Sequence, residues 1–128
     1  FLKKLIYAQV RNVLLNKSFH EVMDVDTGRA WRWPHLPWHA AGFIGVIVNG
    51  IFGIRYSEQG IQIHPCILDE FEGAVLDSVP YQNAKFVFEI HGHGDSYTVK
   101  MDGNLVEGSF GKEMTGEHKV DIYAYETE

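Results

Sequence analysis

The residues best placed to do chemistry lie in two adjoining runs. One is Phe19-His20-Glu21-Val22-Met23-Asp24-Val25-Asp26-Thr27-Gly28, and the other is Trp31-Arg32-Trp33-Pro34-His35-Leu36-Pro37-Trp38-His39-Ala40-Ala41-Gly42. A carboxylate such as Glu21, set in an aromatic-lined loop, has the surroundings to hold a water against a sugar ring and take its proton. Trp31, Trp33 and Trp38 offer flat apolar faces of the kind that stack on the C–H faces of sugars, and His20 and His39 could hydrogen-bond a substrate or orient Glu21. Each has an ordinary alternative: a solvated loop glutamate, packing tryptophans and structural histidines. Asp24 and Asp26, beside Thr27-Gly28, read as turn formers, because aspartate side chains accept local backbone hydrogen bonds. A second constellation, His91-Gly92-His93 with His118, has metal-binding residue types but reads more simply as a polar strand end. Asn16-Lys17-Ser18 matches a glycosylation acceptor, which has meaning only in a eukaryotic secretory context. No Gly-rich phosphate loop, Ser/His/Asp set or cysteine nucleophile stands out, so neither a metal nor a cofactor is expected.

The elements that position these residues follow from periodicity. Leu2, Leu5, Ile6, Val10, Val13 and Leu14 recur at helical spacing and predict a helix over 1–16. The rhythm then fails, and 17–37 reads as a long loop, of the sort that is functional or disordered. Pro37 suits the first turn of a second helix, since its missing N–H would be unpaired there anyway. That helix is expected over 38–52. It is apolar nearly all round (Ala40, Phe43, Ile44, Val46, Ile47, Ile51), which predicts burial on most faces. Beyond Gly53 the pattern alternates as strands do. A hairpin is expected at 54–56 and 61–63, with further strands at 73–79, 85–91, 96–101, 104–106 and 118–125 and a tight turn at Asp102-Gly103.

Phe-His-Glu, then Asp-Val-Asp-Thr-Gly, then Pro-Trp-His-Ala-Ala is similar to a stretch near the end of the toroidal (α/α)6 barrel in glycoside hydrolase family 63. The run around Gly53-Ile54, Gly60-Ile61-Gln62-Ile63-His64-Pro65 and Tyr81 resembles the barrel-to-sandwich tail of family 65 and α-L-rhamnosidase-type enzymes. The resemblance implies an inverting glycosidase and places the general base, which activates water, on Glu21. Val22-Met23-Asp24-Val25-Asp26 lacks the aromatic and proline usual in family 63, and Trp38-His39 replaces its commoner Trp-Ser.

The resulting expectation is an α+β chain: the last two helices of an incomplete (α/α)6 toroid, residues 1–52 with a catalytic loop at 17–37, followed by a small antiparallel β-sandwich at 53–128. Because the first residues are already in helical rhythm and two apolar helices lack cover, a missing N-terminal part carrying the general acid is also expected, leaving the present residues inactive alone. Two alternatives stay open: a non-catalytic carbohydrate-binding or structural β-module, and part of a family 65-like phosphorylase. The expected partner is an oligosaccharide or glycoside substrate.

The composition is consistent with a soluble globular chain of about one domain. It has 128 residues, 45% hydrophobic and 22% charged, with aromatics at 13%. A net charge of -6 with scattered Lys and Arg argues against nucleic acid, which demands a basic stripe. The longest apolar stretch, 40–54, is interrupted by four glycines and Asn49 and falls short of the roughly 20 residues a membrane span requires. One cysteine, Cys66, leaves the compartment open.

Overall fold

The computed structural model describes all residues from Phe1 to Glu128. They form two compact units, Phe1–Gly50 and Ile51–Glu128.

In the first unit, α1 spans Leu2–Asn16. It contains no Gly or Pro, and it stops where Lys17 turns left-handed (φ 56°) and donates its N–H back to the Val13 carbonyl at 2.8 Å. The helix buries Ile6, Ala8 and Asn12. A short hairpin follows, β1 (Val22–Met23) against β2 (Ala30–Trp31). Helix α2 covers Pro37–Gly45, with Pro37 in its first turn, and widens into a π-helical segment at Val46–Ile51. No residue of α2 is buried, so the burial expected from its apolar sequence is absent.

The second unit opens with the hairpin β3 (Ile54–Ser57) and β4 (Gly60–Ile63). Five further strands make one sheet: β5 (Val75–Tyr81), β6 (Asn83–His91), β7 (Ser96–Met101), β8 (Asn104–Leu105) and β9 (Thr115–Tyr125). Their order is β5-β6-β9-β7-β8, with β6 and β9 parallel and every other neighbour antiparallel. Strict alternation along β6 sends Ala84, Phe86, Phe88 and Ile90 inward. They meet Val120 and Ile122 of β9, Val99 of β7, Ile54 and Ile61 of the hairpin, and Phe110 in a core closed to solvent.

These observations correct the expected fold. The helical unit is two helices of unequal length, fifteen and nine residues, joined through a β-hairpin, and strands dominate the chain. It is not the end of an (α/α)6 toroid. Nor is the second unit an antiparallel sandwich, because β9 inserts between β6 and β7 and runs parallel to β6. The link between β6 and β7 looks in sequence like a hairpin turn, yet it bridges a slot one strand wide. Gly94 shows how: it holds φ 142°, and a Cβ there would lie 2.1 Å from the Tyr125 carbonyl oxygen at the end of β9. Asp95 then takes the Thr127 N–H and hydroxyl, both at 3.0 Å on Oδ1, fixing the chain just beyond β9.

Candidate functional site

The loop expected at 17–37 is an ordered, irregular hairpin clipped along its length. Leu36 N–H donates to the Phe19 carbonyl (3.1 Å), Glu21 N–H to Trp33 (2.9 Å) and Asp24 N–H to Arg29 (2.9 Å), with Val22 opposite Trp31 and Met23 opposite Ala30. Ser18 Oγ accepts the His35 N–H at 2.8 Å and lies 2.9 Å from His35 Nδ1. At the tip, Asp24 Oδ1 accepts the Asp26 N–H, the Thr27 N–H and the Thr27 hydroxyl at 3.0, 2.7 and 2.8 Å. The Thr27 bonds, side chain first, hold the Asp24 carboxyl below its ordinary value.

Helix α1 anchors this hairpin. Asn12 Nδ2 donates to the Gly28 carbonyl (3.3 Å), Arg11 donates to the Asp26 carbonyl (3.0 Å), and Lys4 pairs with the Asp26 carboxylate. Gly28 makes the approach possible: its φ is 72°, and a Cβ would sit 2.6 Å from Arg11 Cβ.

Two consecutive hairpin residues carry orphaned polar atoms. Glu21 Oε2 and His20 Nδ1 are both enclosed, and neither has a hydrogen-bond partner. An unsatisfied buried polar atom costs about 1–3 kcal/mol, so two in a row mark a place where the fold gives up stability. Beside them the tryptophans are open. Trp31 is 55% exposed and Trp33 72% exposed, with the Arg29 guanidinium 5.5 Å from the Trp31 ring centre.

The structure therefore brings four of the expected site residues onto one hairpin: His20, Glu21, Trp31 and Trp33. Trp38 and His39 lie on the first turn of α2. The two rings meet edge to face at 6.3 Å, and with Leu5, Ile6, Gln9 and Phe43 they line a cavity of about 310 Å³ between α1 and α2. Asp24 and Asp26, the acids nearest Glu21 in sequence, are committed to the turn and to Lys4. They offer no general acid.

The three histidines of the second constellation do not converge. His93 Nδ1 lies 3.4 Å from Glu72, His118 Nδ1 lies 2.7 Å from Asp102, and His91 Nε2 lies 2.7 Å from Asp121. What sequence reading missed is the cluster of Glu89, His91 and Asp121, whose donor atoms all fall within 4.8 Å of one another. Glu89 and His91 alternate on one face of β6, a visible signal, but Asp121 joins them only because β9 runs beside β6. These are the residues that could hold a metal. The Lys119 ammonium already fills the cationic place, 2.8 Å from Glu89 and 2.9 Å from Asp121. Burial pushes the Asp121 carboxyl up, but its bonds to His91 and Lys119 outweigh that and leave it lowered.

Also missed were Arg29 and Arg32, interleaved with the tryptophans in Arg-Ala-Trp-Arg-Trp, a pattern legible in the sequence once the hairpin is known to be ordered. No helix of the chain is long and apolar enough to cross a membrane. Compared with family models and with curated proteins, the chain matches none.

Proposed function

We propose that the hairpin around Glu21 is a carbohydrate site of an inverting glycoside hydrolase, with Glu21 as the general base. The observation that carries this reading is an enclosed, unpartnered Glu21 carboxylate oxygen on the same ordered hairpin that bears two exposed tryptophans. In this chemistry the carboxylate takes a proton from water as the water oxygen bonds to the anomeric carbon. A separate acid, about 6.5–9.5 Å away, protonates the departing glycosidic oxygen. Asp24 and Asp26, held in the turn and by Lys4, do not supply that acid.

A non-catalytic carbohydrate contact is the second reading, favoured by the commitment of Asp24 and Asp26 elsewhere. Glu21→Gln decides between the two. The catalytic reading expects glycoside hydrolysis to fall by roughly a hundredfold or more with binding retained. A loss under about tenfold would assign Glu21 no role as base.

A further inference from the structure

The geometry points to an acidic sugar, one bearing a carboxylate or sulfate, as the ligand of the hairpin, with Arg29 and Arg32 as the residues that select it. This rests on the carbohydrate reading of the same hairpin. Both guanidinium groups lie on exposed residues, one immediately before Ala30-Trp31 and one between Trp31 and Trp33. No carboxylate lies within ion-pair distance of either, as holds also for Arg11 and Arg55, so what sets Arg29 and Arg32 apart is their place beside two exposed indoles.

The local acids that would quench them are already engaged. Asp24 Oδ1 accepts three hydrogen bonds within the turn, and Asp26 pairs with Lys4. Arg29 is also ordered by its stack on Trp31 at 5.5 Å. Arg32 holds a left-handed conformation (φ 59°), as does His35 (φ 63°), so the chain accepts two non-glycine residues in a disfavoured region within four positions. A guanidinium fork matches a carboxylate or sulfate with paired donors, while an adjoining indole covers the apolar face of the sugar ring. Neutral sugars could accept hydrogen bonds from the forks only through hydroxyl groups, without the opposite charge. Aromatic and arginine side chains also suit single-stranded nucleic acid, but tracking its phosphates takes a longer basic groove than two arginines in an acidic chain provide.

The test is calorimetric titration of the chain with a panel of uronate oligosaccharides, each beside its carboxyl-reduced neutral counterpart, for the parent and for Arg29→Gln/Arg32→Gln. The expected result is at least one uronate bound about tenfold or more tighter than its counterpart, a preference that shrinks with salt and disappears in the double variant. Equal or tighter binding of the neutral sugars overturns the acidic preference and leaves the carbohydrate site standing. A preference that survives in the double variant removes the role of the arginines. No binding of any sugar overturns both readings, and tighter binding of a single-stranded oligonucleotide than of any uronate replaces the sugar with nucleic acid.

Discussion

The two units of this chain treat their apolar residues in opposite ways. In Ile51–Glu128 the large side chains Phe86, Phe88, Ile90, Val120 and Ile122 are closed off completely, and the exposed aromatics are tyrosines, whose hydroxyls tolerate water. In Phe1–Gly50 only Ile6 and Ala8 are buried among the apolar residues, while Tyr7, Leu14, Leu15, Trp31, Trp33, Trp38 and Ile44 stand exposed. The difference separates two uses of hydrophobic surface. The sheet unit spends it on cohesion. The helical unit keeps its hairpin ordered by hydrogen bonds and leaves indole surface exposed.

Substitutions that should weaken one unit and spare the other test this contrast. The largest effect is expected in the sheet: Phe88→Ala should destabilise it by about 3–5 kcal/mol in chemical denaturation, through lost burial and the cavity left behind. Gly94→Ala should cost about 1–3 kcal/mol by the same measurement, because it meets both an unfavourable φ and the Tyr125 carbonyl. A change of only a few tenths would mean that β9 does not fill the slot beneath that link.

A smaller effect is expected from pH. His118 Nδ1 faces Asp102 and Nε2 faces the Thr115 carbonyl at 3.1 Å; both partners accept, so the ring is satisfied when both nitrogens carry protons. The Asp102 hydrogen bond, first among the causes, raises the His118 pKa above 6.5, and the His118 hydrogen bond lowers that of Asp102 below 3.8. The His118 contribution is therefore complete below about pH 6.5 and fades as pH rises through the folded value. The Asp102 contribution is present above its unfolded value and is lost as acid titrates through the folded one. Thermal melts should show the parent losing stability above pH 6.5 more steeply than His118→Asn, and parallel curves would remove the pair from the account.

How far the sequence reveals this molecule depends on the range of the interaction. Strands appear within a few residues of where alternation puts them, as with Lys85–His91 against the observed Asn83–His91, because alternation is local. Sheet order is not local. Nothing around Thr115–Tyr125 says that it pairs in parallel with β6, and a four-residue link before β7 argues for the wrong neighbour. The helical unit misleads for a related reason. An apolar helix at Pro37–Gly45 predicts burial, but burial depends on what the rest of the chain places over it. At the site, Glu21 and the tryptophans are visible as residue types, and the turn chemistry of Asp24 with Thr27-Gly28 is visible as well. The unpartnered state of Glu21 Oε2 and the free guanidinium groups of Arg29 and Arg32 emerge only from the folded hairpin, since each depends on what its neighbours are already bonded to.

The most direct measurement of the central claim joins stability and recognition in one variant. Trp31→Ala/Trp33→Ala removes two exposed rings, so thermal unfolding should move by no more than about 0.5 kcal/mol, as for other surface substitutions. Oligosaccharide affinity, read by calorimetry, should fall at least about tenfold, because an aromatic platform contributes through contact with the ligand. Unchanged affinity with unchanged stability would contradict the hairpin as a carbohydrate site. Marked destabilisation would show instead that the tryptophans hold the fold.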